Sequence, residues 1–416
     1  MERRVIIAAS LAHGMTHALE LTFAALLVRI GFEFNASLAV LGAIATVGTF
    51  TFGATALPAG YLTDRFGPRA VITGTFFGAA ICALIVAAAP NLTVLAVALA
   101  LLGAVIGLYH PPGTAMVSAV IERRGRAFAL HGIAGNLGIS AAPAIATTLA
   151  VFSGWRAAYV AFALLALAVG LLVRHLAPDR EEARKRARIA TEATVSPRQG
   201  SRRRSTPPEV RSWLARPLLL VYIGTIGTGY IYRGVLTFLP AHLEQHLGLS
   251  IFGWTPEAVA GAMSSLVLLT AVFGQIAGGM LSDRMPLERA AVPIVLLLVP
   301  VLALVGWGSG VVLLVAAAAF ALVNFAQQPV FNGLVADYAP AGAAGRAFGI
   351  SFFLSFGLGS FAASFSGLVA SRWGTGPMFA MLAVVAAVLS AVVLIILAGA
   401  ERRRAAEAPR LAVAVK

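Results

Sequence analysis

Three ionisable side chains stand in an apolar run near the start of the chain: His13, His17 and Glu20. On a helix they sit at i, i+4 and i+7, hence on one face. Imidazole titrates near about 6.5, so a carboxylate beside imidazoles can exchange protons near neutral pH. A helix-packing hydrogen-bond cluster would use the same residues. Two His and one Glu could also hold a metal ion, but no spacing of a zinc hydrolase is present and none is expected. Further along, His110 follows Tyr109 and precedes Pro111 and Pro112, a pair that must bend a helix. At a helical rise of about 1.5 Å per residue, His13 and His110 reach a similar depth and could share a network. Candidates for contacting a solute are Tyr109, His131, Asn136, Arg233, Gln275, Asn324, Gln327, Gln328 and Asn332. Asn324, Gln328 and Asn332 recur at i, i+4 and i+8, to ligate a solute or to join helices.

These residues lie in elements of unusual composition. The chain has 416 residues, 59% hydrophobic and 12% charged. That is half the charge of a soluble domain, and about 20 apolar residues suffice to cross a bilayer core. Apolar runs predict spans at about 5–30, 37–61, 70–89, 92–120, 127–150, 155–174, 217–242, 256–280, 290–308, 311–335, 346–370 and 376–398. The fold class is an all-α membrane protein. The first run is too long for a cleaved signal and reads as the first span. The runs neither alternate nor stay short enough for barrel strands. Cys82 is alone, so no intrachain disulfide forms.

With twelve spans both termini share a side. Of 31 Lys and Arg, 27 fall on that side; Arg29, Arg156 and Arg372 fall opposite, and Arg233 lies within a span. This asymmetry predicts cytoplasmic termini in a bacterial-type inner membrane. It also explains the net charge of +14 without nucleic acid. The expected organisation is a bundle over 1–175, a basic cytoplasmic linker over 176–216, a second bundle over 217–398 and a tail over 399–416. The linker is attracted to anionic lipid or is merely solubilising.

The halves repeat. Gly60-Tyr-Leu-Thr-Asp64-Arg65 returns as Gly279-Met-Leu-Ser-Asp283-Arg284, Gly125-Arg126-Ala127-Phe128 as Gly345-Arg346-Ala347-Phe348, and His110-Pro111 as Gln328-Pro329, at offsets of 219, 220 and 218. This predicts two parallel six-helix repeats, an architecture suited to alternating access. Ionisable and amide side chains are absent from the apolar stretches of spans three, six, nine and twelve, which predicts that those four face lipid and the others a cavity. The run Gly60-x-Leu-x-Asp64-Arg65-x-Gly67-x-Arg69 offers glycines for a tight turn and close approach, and a carboxylate suited to a helix N-terminus.

That run resembles the signature loop of the major facilitator superfamily, and with twelve spans the resemblance covers the chain. The second copy is degraded, since Gly67 and Arg69 have no counterparts after Arg284. The resemblance implies gating by Gly60, Asp64, Arg65, Gly67, Arg69, Asp283, Arg284 and Arg346, with Asp64 meeting span eleven only when the carrier opens outward. Leu108-Tyr-His-Pro-Pro-Gly113 and His131-Gly-Ile-Ala-Gly135-Asn-Leu-Gly138 resemble the fosmidomycin-resistance-like branch, although Ala142-Pro143 stands where the antiporter signature has Gly-Pro. The branch implies proton-driven efflux of a small drug-like or anionic solute. His13, His17, Glu20 and His110 are then the expected proton-coupling residues. Two alternatives stay open: proton-coupled uptake of an organic acid, and a non-transporting sensor or assembly factor. The expected partners are a small-molecule substrate, protons and membrane lipid, with no nucleic acid and no cofactor, in a monomer. No nucleophile triad, cofactor loop or metal motif suggests an enzyme.

Overall fold

The computed structural model describes residues 2–120, 124–178, 216–249, 253–340 and 344–414. Most of the expected linker, and Arg123, lie outside them. Among the described residues there are only helices, turns and connecting segments, and twelve spans are long and apolar enough to cross a membrane. They run Glu2–Glu33, Leu38–Phe66, Pro68–Ala87, Leu92–Val117, Leu130–Ser153, Trp155–Leu176, Pro217–His246, Pro256–Arg284, Leu287–Trp307, Gly310–Tyr338, Arg346–Trp373 and Thr375–Ala406. The protein is a multi-pass membrane protein with both termini on one face, the terminal face; the other is the distal face.

Several spans begin where the sequence supplies a cap. At the distal face, Ser37 accepts from the Val40 N–H (3.4 Å), Asn91 from Val94 (3.0 Å) and Thr255 from Ala258 (3.3 Å). Each satisfies a donor that a helix start leaves free. Gly67 separates spans two and three with φ 84°, a conformation that favours glycine. Gly60 departs from its expected role: a Cβ there would meet nothing within 4 Å, so it makes no close approach in this conformation.

The repeat predicted from three short motifs recurs in packing. Thr51 Oγ1 donates to the Ala100 carbonyl (2.8 Å), clasping spans two and four. Thr270 Oγ1 donates to the Ala318 carbonyl (2.9 Å), clasping spans eight and ten. Spans three, six, nine and twelve present exposed large apolar side chains, among them Ile81, Leu164, Leu297 and Val388, as lipid-facing helices should.

Two spans are interrupted. The fourth is two helices, Leu92–Gly107 and His110–Val120. The eleventh passes through a π-turn at Phe353–Gly357 and a short 3-10 turn at Leu358–Ser360. One boundary departs further. The last span was expected to end near 398, yet the helix runs Thr375–Ala414. Its extension carries Ala-rich, helix-favouring sequence and is clasped at the terminal face. Arg289 Nε donates to Glu401 (2.8 Å), Arg404 to Glu288 (2.7 Å) and Arg403 to the Tyr338 hydroxyl (2.7 Å).

The halves meet along spans two and eleven, and five and eight. Gly42 packs on the backbone of Ala363 and Gly367. Thr46 Oγ1 accepts from the Ser364 N–H (3.0 Å), and Ser265 Oγ accepts from the Ala144 N–H (2.9 Å). Arg29, at the distal end of span one, forms an ion pair with Glu257 at the start of span eight (Nε to Oε2, 2.8 Å) and donates to the Ala150 carbonyl (2.9 Å). These contacts run from the distal face to the middle of the bundle.

Candidate functional site

The site is built on span one, whose helix continues unbroken through His13, His17 and Glu20. The expected shared face is realised as a hydrogen-bonded line. His17 Nδ1 lies 2.6 Å from Glu20 Oε2, and His17 Nε2 lies 3.2 Å from His13 Nε2. His13 Nδ1 donates to the His131 carbonyl oxygen at 2.7 Å. Glu20 Oε1 accepts from the Arg233 guanidinium of span seven, an ion pair whose side chains are 2% and 4% exposed. One chain of contacts therefore links span five, span one and span seven, and crosses between the halves. A buried guanidinium requires an anion, and here Glu20 supplies it.

Span four reaches the same place through its break. Pro111 and Pro112 supply no N–H, so the helix stops at Gly107 and restarts at His110. The break turns Tyr109 inward, where it is fully buried and donates to the Ala9 carbonyl of span one (2.6 Å). The His110 ring lies 5.3 Å from both the His13 and the His17 ring. His110 Nε2 is buried without a hydrogen-bond partner.

Span five closes the cluster, and its glycines explain how. The His131 ring stacks on His13 at 4.1 Å with planes 10° apart. A Cβ on Gly135 would stand 2.7 Å from His13 Nδ1, so only glycine admits that ring. Gly138 lies directly on the Gly14 backbone. The element His131–Gly138 is thus the surface that receives span one.

The remaining sites divide. Asn136 donates to Gln275 across the halves. Gln327 Nε2 donates to Asn324 Oδ1 (2.8 Å), both buried, whereas Gln328 and Asn332 are exposed. Of Asn324, Gln328 and Asn332, Asn324 alone is buried. Each four-residue step advances a helix by about 40° beyond a full turn, so Asn332 has rotated away from Asn324. Asp64, Arg65, Asp283, Arg284 and Arg346 are exposed at the terminal face, with Arg69 half-buried beside them. Arg29, met in the sequence only as one of three basic residues on the distal side, and Glu257 join the halves at the distal face.

A cavity of about 40 Å³ adjoins the ion pair, lined by Phe23, Thr49, Phe52, Ile106 and Thr237 as well as Glu20 and Arg233. It has room for roughly three waters. The cavity has a charged end at Glu20 and Arg233 and an apolar wall at Phe23, Phe52 and Ile106. Among the described residues, His13, His17 and His110 also offer ligand atoms within 4.8 Å of one another, close enough to share a metal ion.

Known proteins match this arrangement at the level of the whole fold. A bacterial homologue of the human lysosomal transporter Spinster, in an inward-facing and occupied conformation, superposes with a TM-score of 0.75 at 13% identity, over 94% of this chain and 96% of that one. A peptide transporter, POT, in complex with sulfate gives 0.73 at 16% identity, over 96% and 94%. In sequence, the chain is 23% identical over 257 residues to the probable sulfoacetate transporter SauU of Cupriavidus necator, covering 61% of this chain and 58% of that protein. It is 23% identical over 258 residues to the probable L-galactonate transporter of Escherichia coli, covering 60% and 55%. The chain thus matches less than two thirds of the length of these curated relatives. The Major Facilitator Superfamily model matches residues 6–364, which takes in the signature loop, the His–Glu–Arg line, the first half and the second half as far as span eleven, and the chain belongs to that family of transporters.

Proposed function

We propose that this protein is a proton-coupled carrier of a small organic anion, working by alternating access. The carrying observation is the buried Arg233–Glu20 pair joining spans one and seven across the halves. Arg233 needs an anion in every state. Glu20 serves in the empty carrier, and a carboxylate or sulfonate on the solute competes for the same planar fork. Once the anion has left, Glu20 pairs with Arg233 again and the proton is carried on the return step by His17, to which Glu20 is hydrogen bonded. Asn136, Gln275, Asn324 and Gln327 lie on the pathway-forming spans and would orient the solute's polar groups. The two sequence relatives are named for sulfoacetate and L-galactonate, both small organic anions, which supports the substrate class.

Direction rests on the Leu108–Gly113 and His131–Gly138 elements, which resemble the fosmidomycin-resistance-like branch and favour outward exchange of anion for proton. The relatives' organic-acid names favour a second reading, uptake by symport. In this proposal the terminal face is cytoplasmic, the membrane is the bacterial inner membrane, and the working unit is a monomer. No observation favours the sensor or assembly-factor reading.

The test uses the purified chain in proteoliposomes, with a pH-sensitive dye inside and a panel of small carboxylates, sulfonates and uncharged analogues. Anion-dependent proton movement is expected, and its sign fixes the direction. Glu20→Gln should abolish uphill accumulation while leaving exchange of preloaded solute, since exchange need not release the proton. Arg233→Lys should weaken binding of charged solutes by roughly 10–100-fold, the loss of one or two charge-assisted bonds, and leave uncharged ones alone. Uphill transport by Glu20→Gln, or equal effects on charged and uncharged solutes, would reject the assignment.

A further inference from the structure

The two imidazoles of span one are held so that neither can satisfy the other. His13 Nδ1 faces the His131 carbonyl oxygen at 2.7 Å, and His17 Nδ1 faces Glu20 Oε2 at 2.6 Å. A carbonyl and a carboxylate engaged by a guanidinium both accept, so each ring donates from Nδ1. Each neutral ring is then left with a bare lone pair on Nε2, and those two atoms stand 3.2 Å apart. Two lone pairs at that distance need a cation between or beside them. A proton on one Nε2 is enough for the pair alone. It leaves a third imidazole unexplained: His110 Nε2 is buried without a partner, and the His110 residue belongs with His13 and His17 to a trio that offers ligand atoms within 4.8 Å of one another.

We propose that His13, His17 and His110 form a binding site for a divalent transition-metal ion of the zinc class, bound through their three Nε2 atoms. Zn–N bonds of about 2.0–2.1 Å place tetrahedral ligands about 3.3 Å apart, close to the His13–His17 spacing. The i, i+4 arrangement on one helix suits two imidazoles binding a single ion. The two Nδ1 contacts are the outer-shell pattern of histidine metal sites, one acceptor a carboxylate and the other a backbone carbonyl. Gly135 and the stacked His131 ring fix the His13 plane. Three neutral imidazoles select zinc, copper or nickel over magnesium or calcium. The fourth position stays open for water or hydroxide. This site lies beside the Arg233 anion subsite and does not rest on the transport reading, but it shares His17 with the proposed proton path, so transport is measured on metal-stripped protein.

Full-length protein, stripped with chelator and titrated with Zn²⁺ by calorimetry, tests the proposal. One ion per chain is expected, with a Kd of about 1 µM or tighter. His17→Ala and His110→Ala should each weaken binding by at least about tenfold, and Glu20→Gln by about 10–100-fold through the outer shell. His246→Ala, at an exposed histidine, should change nothing. Co²⁺ in the wild type should give the intense visible bands of a tetrahedral site, lost in His110→Ala. Should His110→Ala misfold, His110→Asn and the wild-type Co²⁺ spectrum decide. No saturable binding, a six-coordinate Co²⁺ spectrum, or unchanged affinity in the histidine variants overturns the site. Zinc binding without anion-driven proton movement would sink the transport reading alone; the reverse would sink the metal site alone.

Discussion

Glu20 and Arg233 each stand thirteen residues before the distal end of their span, at Glu33 and His246, and they meet as an ion pair between repeat-related helices. At about 1.5 Å per residue both are some 20 Å below the distal face, near the middle of the bundle. A charge at that depth is tolerated only with a partner. Removing one member leaves the other uncompensated. Arg233→Met or Glu20→Leu alone should therefore lower stability by roughly 3–5 kcal/mol, and the double variant should recover most of it. Thermal unfolding in detergent checks this. Additive losses in the double variant would show that the pair does not act as a unit.

Gly135→Ala tests how span five positions the histidine cluster of span one. The added methyl would press on the His13 ring, breaking its bond to the His131 carbonyl. Overpacking should cost about 1–3 kcal/mol. Tyr109→Phe, which loses one hydrogen bond to Ala9, should cost only about 1 kcal/mol. Gly135→Ala is expected to impair proton-coupled accumulation more than Tyr109→Phe. Equal stabilities and equal transport would mean that His13 placement is unimportant.

Asp64→Asn addresses the signature loop. The family resemblance gives Asp64 a partner on span eleven in the state closed at the terminal face, so the variant should favour the state open there. Single cysteines at Tyr61 and Leu281 should label faster in the variant, and turnover should fall. Unchanged labelling with full transport would remove Asp64 from gating.

Much of this fold was legible because bilayer burial writes itself into composition. The apolar runs marked all twelve spans, and the 219-residue offset found in the loop motifs reappears in Thr51 and Thr270. The face of His13, His17 and Glu20 followed from helical period alone. The arrival of His110 and His131 at that face did not, since helix packing between distant spans leaves no mark in spacing. Arg233 stands out as the one arginine deep within a span, and its match to Glu20 rests on equal depth, on the repeat relation of spans one and seven and on the family resemblance together. Asn324, Gln328 and Asn332 share a spacing but not a burial, because a four-residue period drifts over two turns. Arg29 and Glu257 were passed over because charges at span ends are ordinary for solvation.

The Arg29–Glu257 pair supplies the final prediction. Their side chains are 34% and 14% exposed, so the pair is partly screened and its net worth is about 1 kcal/mol. It nevertheless joins the two halves at the distal face, with the Ala150 carbonyl as a third contact. Alternating access requires that this contact break when the distal face opens. Arg29→Gln or Glu257→Gln should then shift the equilibrium toward the distally open state by roughly fivefold, the factor that about 1 kcal/mol gives. The exchanged pair, Arg29→Glu with Glu257→Arg, should restore part of the balance, because attraction returns although the Ala150 contact does not. Cysteine placed at Thr46, buried between spans two and eleven, reports opening by its labelling rate from the distal side. Faster labelling in both single variants and slower labelling in the exchanged pair is the expected pattern. If all three label alike, the pair is a surface ion pair with no part in closing the carrier.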